Sequence, residues 1–376
     1  MRKNSKIHPS PLYILSPGQM MVAGFGFLIL LGAVLLASPI SSANGTSTSF
    51  IDAMFTATSA VCVTGLVVVD TSIHWSIFGK VVIILLIQVG GLGFMTLGTL
   101  VALIFGKKIN LRQRILIKEA LNQDELSGSV KLIKKVLKYT LLIEGLGALL
   151  LSFAFIPQFG LLKGVGYSIF TSISSFCNAG FDLMGRVSGE YSSIVSYYNR
   201  PLIVFTISAL IILGGIGFPV IINVVNKRNF KKLNLNSKLV LVTTAILIAG
   251  GFLMIFLGEM GHALHGMSLW EKFQVAFFQS VTTRTAGYAT IDLTQFREST
   301  LFVMMILMFI GASPASTGGG IKTTTAAILF IAVKSFIKNE NEITVQHKRI
   351  NVFTFRKALG IFIIAITIAV LGVYLL

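Results

Sequence analysis

The feature that most constrains this chain is a succession of apolar runs, among them Met20 to Ile40, Val81 to Phe105, Leu202 to Val225 and Leu301 to Val333. Each meets or exceeds the ~20 residues that a helix needs to cross ~30 Å of hydrocarbon. Inside a bilayer every backbone N–H and C=O must be satisfied within the protein, so such runs fold as helices. The rest of the chain agrees. Hydrophobic residues make up 54% and charged residues only 12%, far from the roughly 25% charged content of a soluble domain. Met20 to Ile40 is long, starts late and is followed by further runs, so it reads as a retained first helix and not as a signal peptide.

Charge placement gives the topology. Of 31 Lys and Arg residues, 23 lie in four clusters: three in residues 2–6, nine in 107–138, five in 227–238 and six in 334–357. By the positive-inside rule these clusters are cytoplasmic, which puts the N-terminus inside and leaves two spans between consecutive clusters. The pairs are Met20 to Ile40 with Val81 to Phe105, Leu141 to Ile156 with Leu202 to Val225, and Leu239 to Leu257 with Leu301 to Val333. One further run, Ala358 to Leu376, makes seven. The net charge of +17 is therefore topology and attraction to anionic lipid, and it does not indicate a nucleic-acid partner.

Each outward-facing connection holds a further short, semi-apolar segment, and the three align on a glycine. Ending at Gly65, Gly180 and Gly287 they read FIDAMFTATSAVCVTG, VGYSIFTSISSFCNAG and KFQVAFFQSVTTRTAG. Phe55, Phe170 and Phe277 share one column, Cys62 and Cys177 another, and Leu66, Phe181 and Tyr288 follow the glycine. The second spans repeat as well: "QVGGLGF" (Gln88 to Phe94) matches "ILGGIGF" (Ile212 to Phe218), and "TGGGIK" (Thr317 to Lys322) reads as the third copy. Internal repeats of this kind mark a symmetric membrane assembly whose unit is helix, re-entrant segment, helix.

A segment of 10 to 12 residues cannot cross the bilayer, so it dips in as a half-helix and returns extended. "SFID" (Ser49 to Asp52) and "SLWE" (Ser268 to Glu271) read as capping boxes that open two of these half-helices. Their carboxyl ends point inward, where the helix dipole favours a cation. The glycine that follows lets the chain extend with carbonyl oxygens turned to an axis, and a ring of carbonyls can replace the water around an alkali cation. "VCVTG" is therefore one wall of a cation selectivity filter.

These residues resemble the Trk/Ktr/HKT superfamily of potassium transporters, most closely the membrane subunits of Ktr-type uptake systems. The resemblance is carried by "VCVTG", "FCNAGF", "TTRTAGY", "QVGGLGFMT" and "GASPASTGGGIKTTT" (Gly311 to Thr325). It implies an all-α polytopic membrane protein of helix, re-entrant pore loop, helix units with pseudo-fourfold symmetry around a central pore. The units fall at 1–110, 111–232 and 233–350, with the first helix of a fourth at 351–376. Gly65, Gly180 and Gly287 are 115 and 107 residues apart, so the same interval puts a fourth glycine near residues 394–402, beyond Leu376.

Carried over residue by residue, the resemblance implies a filter of Val63, Thr64 and Gly65; Asn178, Ala179 and Gly180; and Thr285, Ala286 and Gly287. Glycine at 65 favours K+ over Na+ as cargo. It further implies Na+ as a second ion, a homodimer, and an octameric ring of KtrA-type nucleotide-binding subunits in the cytosol. The chain itself has no Walker pattern and no nucleotide site.

The closing run of the third unit is interrupted by Gly311, Ala312, Ser313, Pro314, Ala315, Ser316, Thr317, Gly318, Gly319 and Gly320. Pro314 and the glycines break a continuous helix, and the resemblance implies that this loop gates the pore. Lys322, an intramembrane cation, is a candidate to hold the loop closed. Arg284 cannot face the ion and is expected behind the filter, bonding helix-end carbonyls or Asp292. Glu144 is expected to pair at the cytoplasmic boundary or to line an ion path. His262 and His265 lie close in an outer loop with only Glu259 nearby, too few ligands for a metal site. Cys62 and Cys177 are spaced for neither zinc nor a close pair. An enzyme would need a buried nucleophile with its base, or a carboxylate pair, and neither stands in the sequence. The alternative is a secondary transporter of another small solute, which would also use broken-helix repeats.

Overall fold

The structure is a computed structural model that describes residues 17–93, 129–339, 344–345 and 348–375. The first unit opens with α1 (Pro17–Ala37). It continues with the short α2 (Phe50–Val61), a single turn α3 (Thr71–His74), and α4 (Ile77–Leu92). The remainder of the expected span Val81 to Phe105, from residue 94 on, lies outside the described residues. The second unit has α5 (Ser129–Phe159), α6 (Leu161–Phe176), a turn α7 (Gly185–Ser188), α8 (Pro201–Ile216) and α9 (Phe218–Lys227). The third has α10 (Leu235–Glu259), α11 (Leu269–Thr282), α12 (Glu298–Phe309) and α13 (Thr323–Ile337). A two-residue hairpin, β1 (Thr344–Val345) with β2 (Lys348–Arg349), leads to α14 (Val352–Leu375), which packs against α13.

Among the described residues, four helices are long and apolar enough to cross a membrane unbroken: α1, α5, α10 and α14. Two of the expected spans are broken. Leu202 to Val225 divides into α8 and α9, bent by 98°, because Gly217 has φ +97° and Pro219 follows inside the new helix. Leu301 to Val333 divides into α12 and α13 around an irregular stretch at residues 310–322.

The short helices α2 and α6 are each packed between the two longer elements of their unit, and α11 between α10 and α8 of the second unit. Their buried faces are rich in hydroxyl groups: Thr56 and Ser59; Ser168, Thr171, Ser172, Ser174 and Ser175; Ser280 and Thr282. Five of them, Ser168, Ser172, Ser174, Ser280 and Thr282, donate to backbone carbonyls, which lets a hydroxyl be buried. Ser168 Oγ donates to the Gly164 carbonyl at 2.7 Å and Ser280 Oγ to Ile248 at 2.7 Å. Outward faces such as Leu30, Leu31 and Val34 on α1, and Leu253, Met254 and Leu257 on α10, are exposed and apolar, as a lipid-facing surface requires.

Small residues set the helix spacing identically in each unit. A β-carbon on Gly32 would press on Leu86, one on Gly147 on Leu210 and Ser172, and one on Gly251 on Leu307 and Ser280. These contacts fix the structural columns: Gly32, Gly147 and Gly251 on the first helix, and Leu86, Leu210 and Leu307 on the second. Four residues further along stand Gly90, Gly214 and Gly311. The third copy of the glycine motif is therefore Gly311–Ala312, and the sequence match to "TGGGIK" is corrected. The triple glycine belongs to the loop and not to the helix.

Candidate functional site

Each short helix ends four or five residues before its glycine: α2 at Val61, α6 at Phe176 and α11 at Thr282. The next residues, Cys62, Cys177 and Thr283, keep helical angles. The backbone then enters the left-handed region twice in every unit, at Val63 (φ +56°), Asn178 (+57°) and Thr285 (+78°), and again at Gly65 (+81°), Gly180 (+71°) and Gly287 (+86°). For a residue with a β-carbon this costs of order 1–2 kcal/mol, and for the β-branched Val63 and Thr285 it is a true outlier. The same strained column in all three units means that the surrounding structure imposes it.

The N–H groups of these segments turn back toward the helix that precedes them. Thr64 N donates to Ser59 O at 2.8 Å, Ala179 N to Ser174 O at 2.8 Å, and Ala286 N to Thr282 O at 3.0 Å. Among the described residues, none of the nine carbonyl oxygens of 63–65, 178–180 and 285–287 accepts a hydrogen bond. Unpaired carbonyls in a protein interior are rare unless something else satisfies them.

The three glycines converge. A β-carbon on Gly65 would lie 2.5 Å from the Ala179 carbonyl oxygen, one on Gly180 would collide with the Ala286 carbonyl oxygen, and one on Gly287 would stand 3.9 Å from that of Thr64. The structure thus brings the nine sequence-predicted residues into one ring of free carbonyls. Beyond the glycine the return strand is pinned by hydroxyls: Ser174 Oγ donates to Phe181 O and Thr282 Oγ1 to Tyr288 O, each at 2.8 Å. Tyr288 Oη also donates to Phe181 O, tying the third unit to the second at 3.0 Å. Sequence reasoning missed these anchors. The available signal was the aligned column Leu66, Phe181, Tyr288.

The loop at 310–322 is bonded to this ring. Ser313 N donates to Gly215 O at 2.9 Å, Thr317 N to Gly214 O at 3.2 Å, and Phe218 N to Ala315 O at 2.9 Å. The break between α8 and α9 is thus stitched to the loop. Thr317 Oγ1 donates to Phe176 O at 2.9 Å and accepts from Asn178 Nδ2 at 3.0 Å. A β-carbon on Gly318 would lie 2.5 Å from Thr285 Oγ1 and 3.3 Å from Asn178 Nδ2. Within the loop, Ala312 N donates to Gly319 O at 3.0 Å, Ser316 Oγ to Ser313 O at 2.6 Å, and Lys322 Nζ to Gly318 O at 2.7 Å. Pro314 precedes Ala315, whose φ is +52°, and Gly320 has φ +73°.

Several expectations are corrected. Ser49 caps α2 by position, but its side chain accepts no bond, so "SFID" is not a capping box. Ser268 and Glu271 form a complete one. Arg284 is buried in the column of Cys62 and Cys177, with Nε unpartnered and, among the described residues, no ion pair. Asp292 instead accepts from Thr294 N and Oγ1. Glu144 does not pair at a boundary: it is buried on α5 against Gln88 and Ser172. His262 Nδ1 is 3.3 Å from Glu259 Oε2, and Glu259 also accepts from the amides of Ala263 and Arg297, which makes it an anchor between α10 and α12.

Sequence and structure comparisons agree with this geometry. The TrkH family profile, described as a cation transport protein, matches residues 13–375. The potassium/sodium uptake protein NtpJ of Enterococcus hirae is 43% identical over 363 residues, covering 96% of this chain and 79% of that protein. The Ktr system potassium uptake protein B of Bacillus subtilis is 40% identical, covering 96% of this chain and 80% of that one. Among solved structures, the potassium transporter TrkH from Vibrio parahaemolyticus superposes with a TM-score of 0.70 at 17% identity, covering 96% of this chain and 70% of that one. At that identity the superposition shows a shared fold.

Proposed function

The chain belongs to the TrkH family of cation transport proteins and is not an enzyme, and from that premise we propose that it is the K+-translocating membrane subunit of a Ktr-type uptake system. The observation that carries the reading is the ring of nine carbonyls that no protein donor satisfies, held at three converging glycines. A dehydrated K+ on the axis would take these oxygens as its coordination shell. The carboxyl ends of α2, α6 and α11 add roughly half a negative charge each at close range.

The loop at 310–322 is the gate in this reading. It is bonded directly to filter residue Asn178 and to Phe176 at the end of α6, so a movement of the loop changes both access and filter shape. Lys322 holds the loop's own carbonyl at Gly318 and presents a positive charge that discourages cations while the loop is closed. Arg284 supports the filter from behind in the cysteine column. In this reading the N-terminus is cytoplasmic, which the basic clusters support through the positive-inside rule. Na+ serves as a second ion, in keeping with the potassium/sodium name of the relative from Enterococcus hirae. A homodimer and a cytosolic nucleotide-binding ring complete the system, as the Ktr-system name of other relatives suggests.

The test is Rb+ uptake, with Na+ as competitor, by proteoliposomes holding the full-length protein and its Gly180→Ala and Gly287→Ala variants. Gly180→Ala should cut the Rb+ to Na+ ratio by about tenfold or more, since the methyl group collides with a filter carbonyl. Gly287→Ala, whose methyl would make only ordinary contact 3.9 Å from the Thr64 carbonyl oxygen and would add the strain of φ +86°, should cost less. Equal, unaltered ratios for both variants would sink the filter reading.

A further inference from the structure

Resting on that reading, we propose that Glu144, acting through Gln88, is a positioning residue for the second filter segment. It forms a polar brace that stands in only one of the two seams between the described units.

The columns fixed by Gly32, Gly147 and Gly251 place Ile29, Glu144 and Ile248 at equivalent points, each three residues earlier on the first helix of its unit. The columns of Gly90 and Gly214 place Gln88 and Ile212 at equivalent points, each two residues earlier on the second helix. Where the second unit meets the third, the pair is Ile212 and Ile248, and both pack against the same apolar cluster. Where the first meets the second, the pair is Gln88 and Glu144. Holding a seam together therefore does not require polar groups at this level. Burying an amide and a carboxyl costs free energy that two isoleucines would not incur.

The bonds of the pair lead to the filter. Gln88 Nε2 donates to Glu144 Oε2 at 3.2 Å, and this fixes which way the amide faces. Its other end, Oε1, then accepts from Cys177 Sγ at 3.9 Å, the long distance that sulfur gives. Gly91, three residues beyond Gln88, lets Cys177 sit against α4: a β-carbon there would come within 2.8 Å of the sulfur. Cys177 is the cap residue of α6, and the residue after it is Asn178, whose φ of +57° opens the filter and whose Nδ2 holds Thr317 of the loop. Glu144 also accepts from Ser172 Oγ of α6 through its backbone carbonyl at 2.7 Å. The side chain of Glu144, through Gln88, and its main chain thus hold the second re-entrant helix at two points, Cys177 and Ser172, the first of them the residue just before the strained Asn178. Glu144 Oε1 is buried without a partner, so the side chain is present for the contact made by its other oxygen.

The test measures the Rb+ to Na+ flux ratio in proteoliposomes of the full-length protein carrying Glu144→Gln, Glu144→Ile, and the double change Gln88→Ile with Glu144→Ile. Glu144→Gln keeps a carbonyl oxygen for Gln88 and should hold the ratio within about twofold, whereas Glu144→Ile should lower it by about tenfold. The double variant copies the other seam and should reconstitute like the parent, yet its ratio should stay about tenfold low. A double variant with the parent's ratio would overturn the proposal and leave the brace as packing. Loss in Glu144→Gln as deep as in Glu144→Ile would overturn it too. Gly180→Ala is measured alongside: if it leaves the ratio intact, the filter reading has failed. If it lowers the ratio while the Glu144 variants do not, only the brace has failed.

Discussion

At the residue scale, the positions that matter most are glycines whose neighbours are carbonyl oxygens of another segment. Gly90 lies against the Val61 carbonyl and Gly214 against that of Phe176, so in the first two units the second helix touches the end of the re-entrant helix with no side chain between. Alanine at either position is expected to destabilise the protein by about 1–3 kcal/mol through overpacking and to impair Rb+ uptake. Gly250 on α10 meets nothing within 4 Å, so Gly250→Ala should be neutral or raise stability by up to about 1 kcal/mol. Thermal unfolding in detergent compares the three, and equal effects would refute the close-approach account. The glycines themselves are plain in the sequence. Which carbonyl each one faces is not, and that is why Thr317–Lys322 resembles a third helix motif until the contacts of Gly251 and Leu307 put Gly311 in its place.

At the scale of the element, the three re-entrant helices share an ending but neither a length nor a beginning: they run 12, 16 and 14 residues. Ser268 of α11 is a true cap, its hydroxyl bonded to Glu271 N at 3.3 Å and its amide to Glu271 Oε2 at 2.9 Å. Ser268→Ala should cost about 1 kcal/mol, whereas Ser49→Ala, which removes no bond, should cost close to nothing. The amide and hydroxyl of Ser268 hold the Glu271 carboxyl below its ordinary value of 4.5. A depressed carboxylate stabilises the folded state above that value, and the contribution is lost as pH falls through the lower, folded one. Thermal unfolding of the parent should therefore lose stability in that acid window, and the loss should shrink in Ser268→Ala. An unchanged acid response would count against the capping box as its source. "SFID" and "SLWE" look alike on paper. Only the structure separates a side chain that reaches its amide from one that does not.

At the scale of the whole molecule, the third unit departs from the other two where its closing span breaks. The loop between α12 and α13 is bonded to the second unit at Gly214, Gly215, Phe218, Phe176 and Asn178. Thr317 is the centre of that attachment, donating to Phe176 O and accepting from Asn178 Nδ2. Thr317→Val removes both bonds at nearly constant volume. With each worth about 1 kcal/mol, the loop should open more readily and Rb+ flux should rise by up to about tenfold. Unchanged flux would mean that this loop does not gate.

The sequence by itself determined that the chain is a multi-pass membrane protein of repeated units, and which three short segments end in a glycine. Those features follow from short-range physics: the length of an apolar run, the sterics of glycine, the missing donor of proline. Only the tertiary structure decided how the tips face one another, that the loop is bonded to the second unit, and that Glu144 lies buried beside Gln88 instead of at a boundary. Each of these is a contact between residues far apart in the chain. At such places the burial of a polar group or the approach of a carbonyl depends on what the opposite element happens to present.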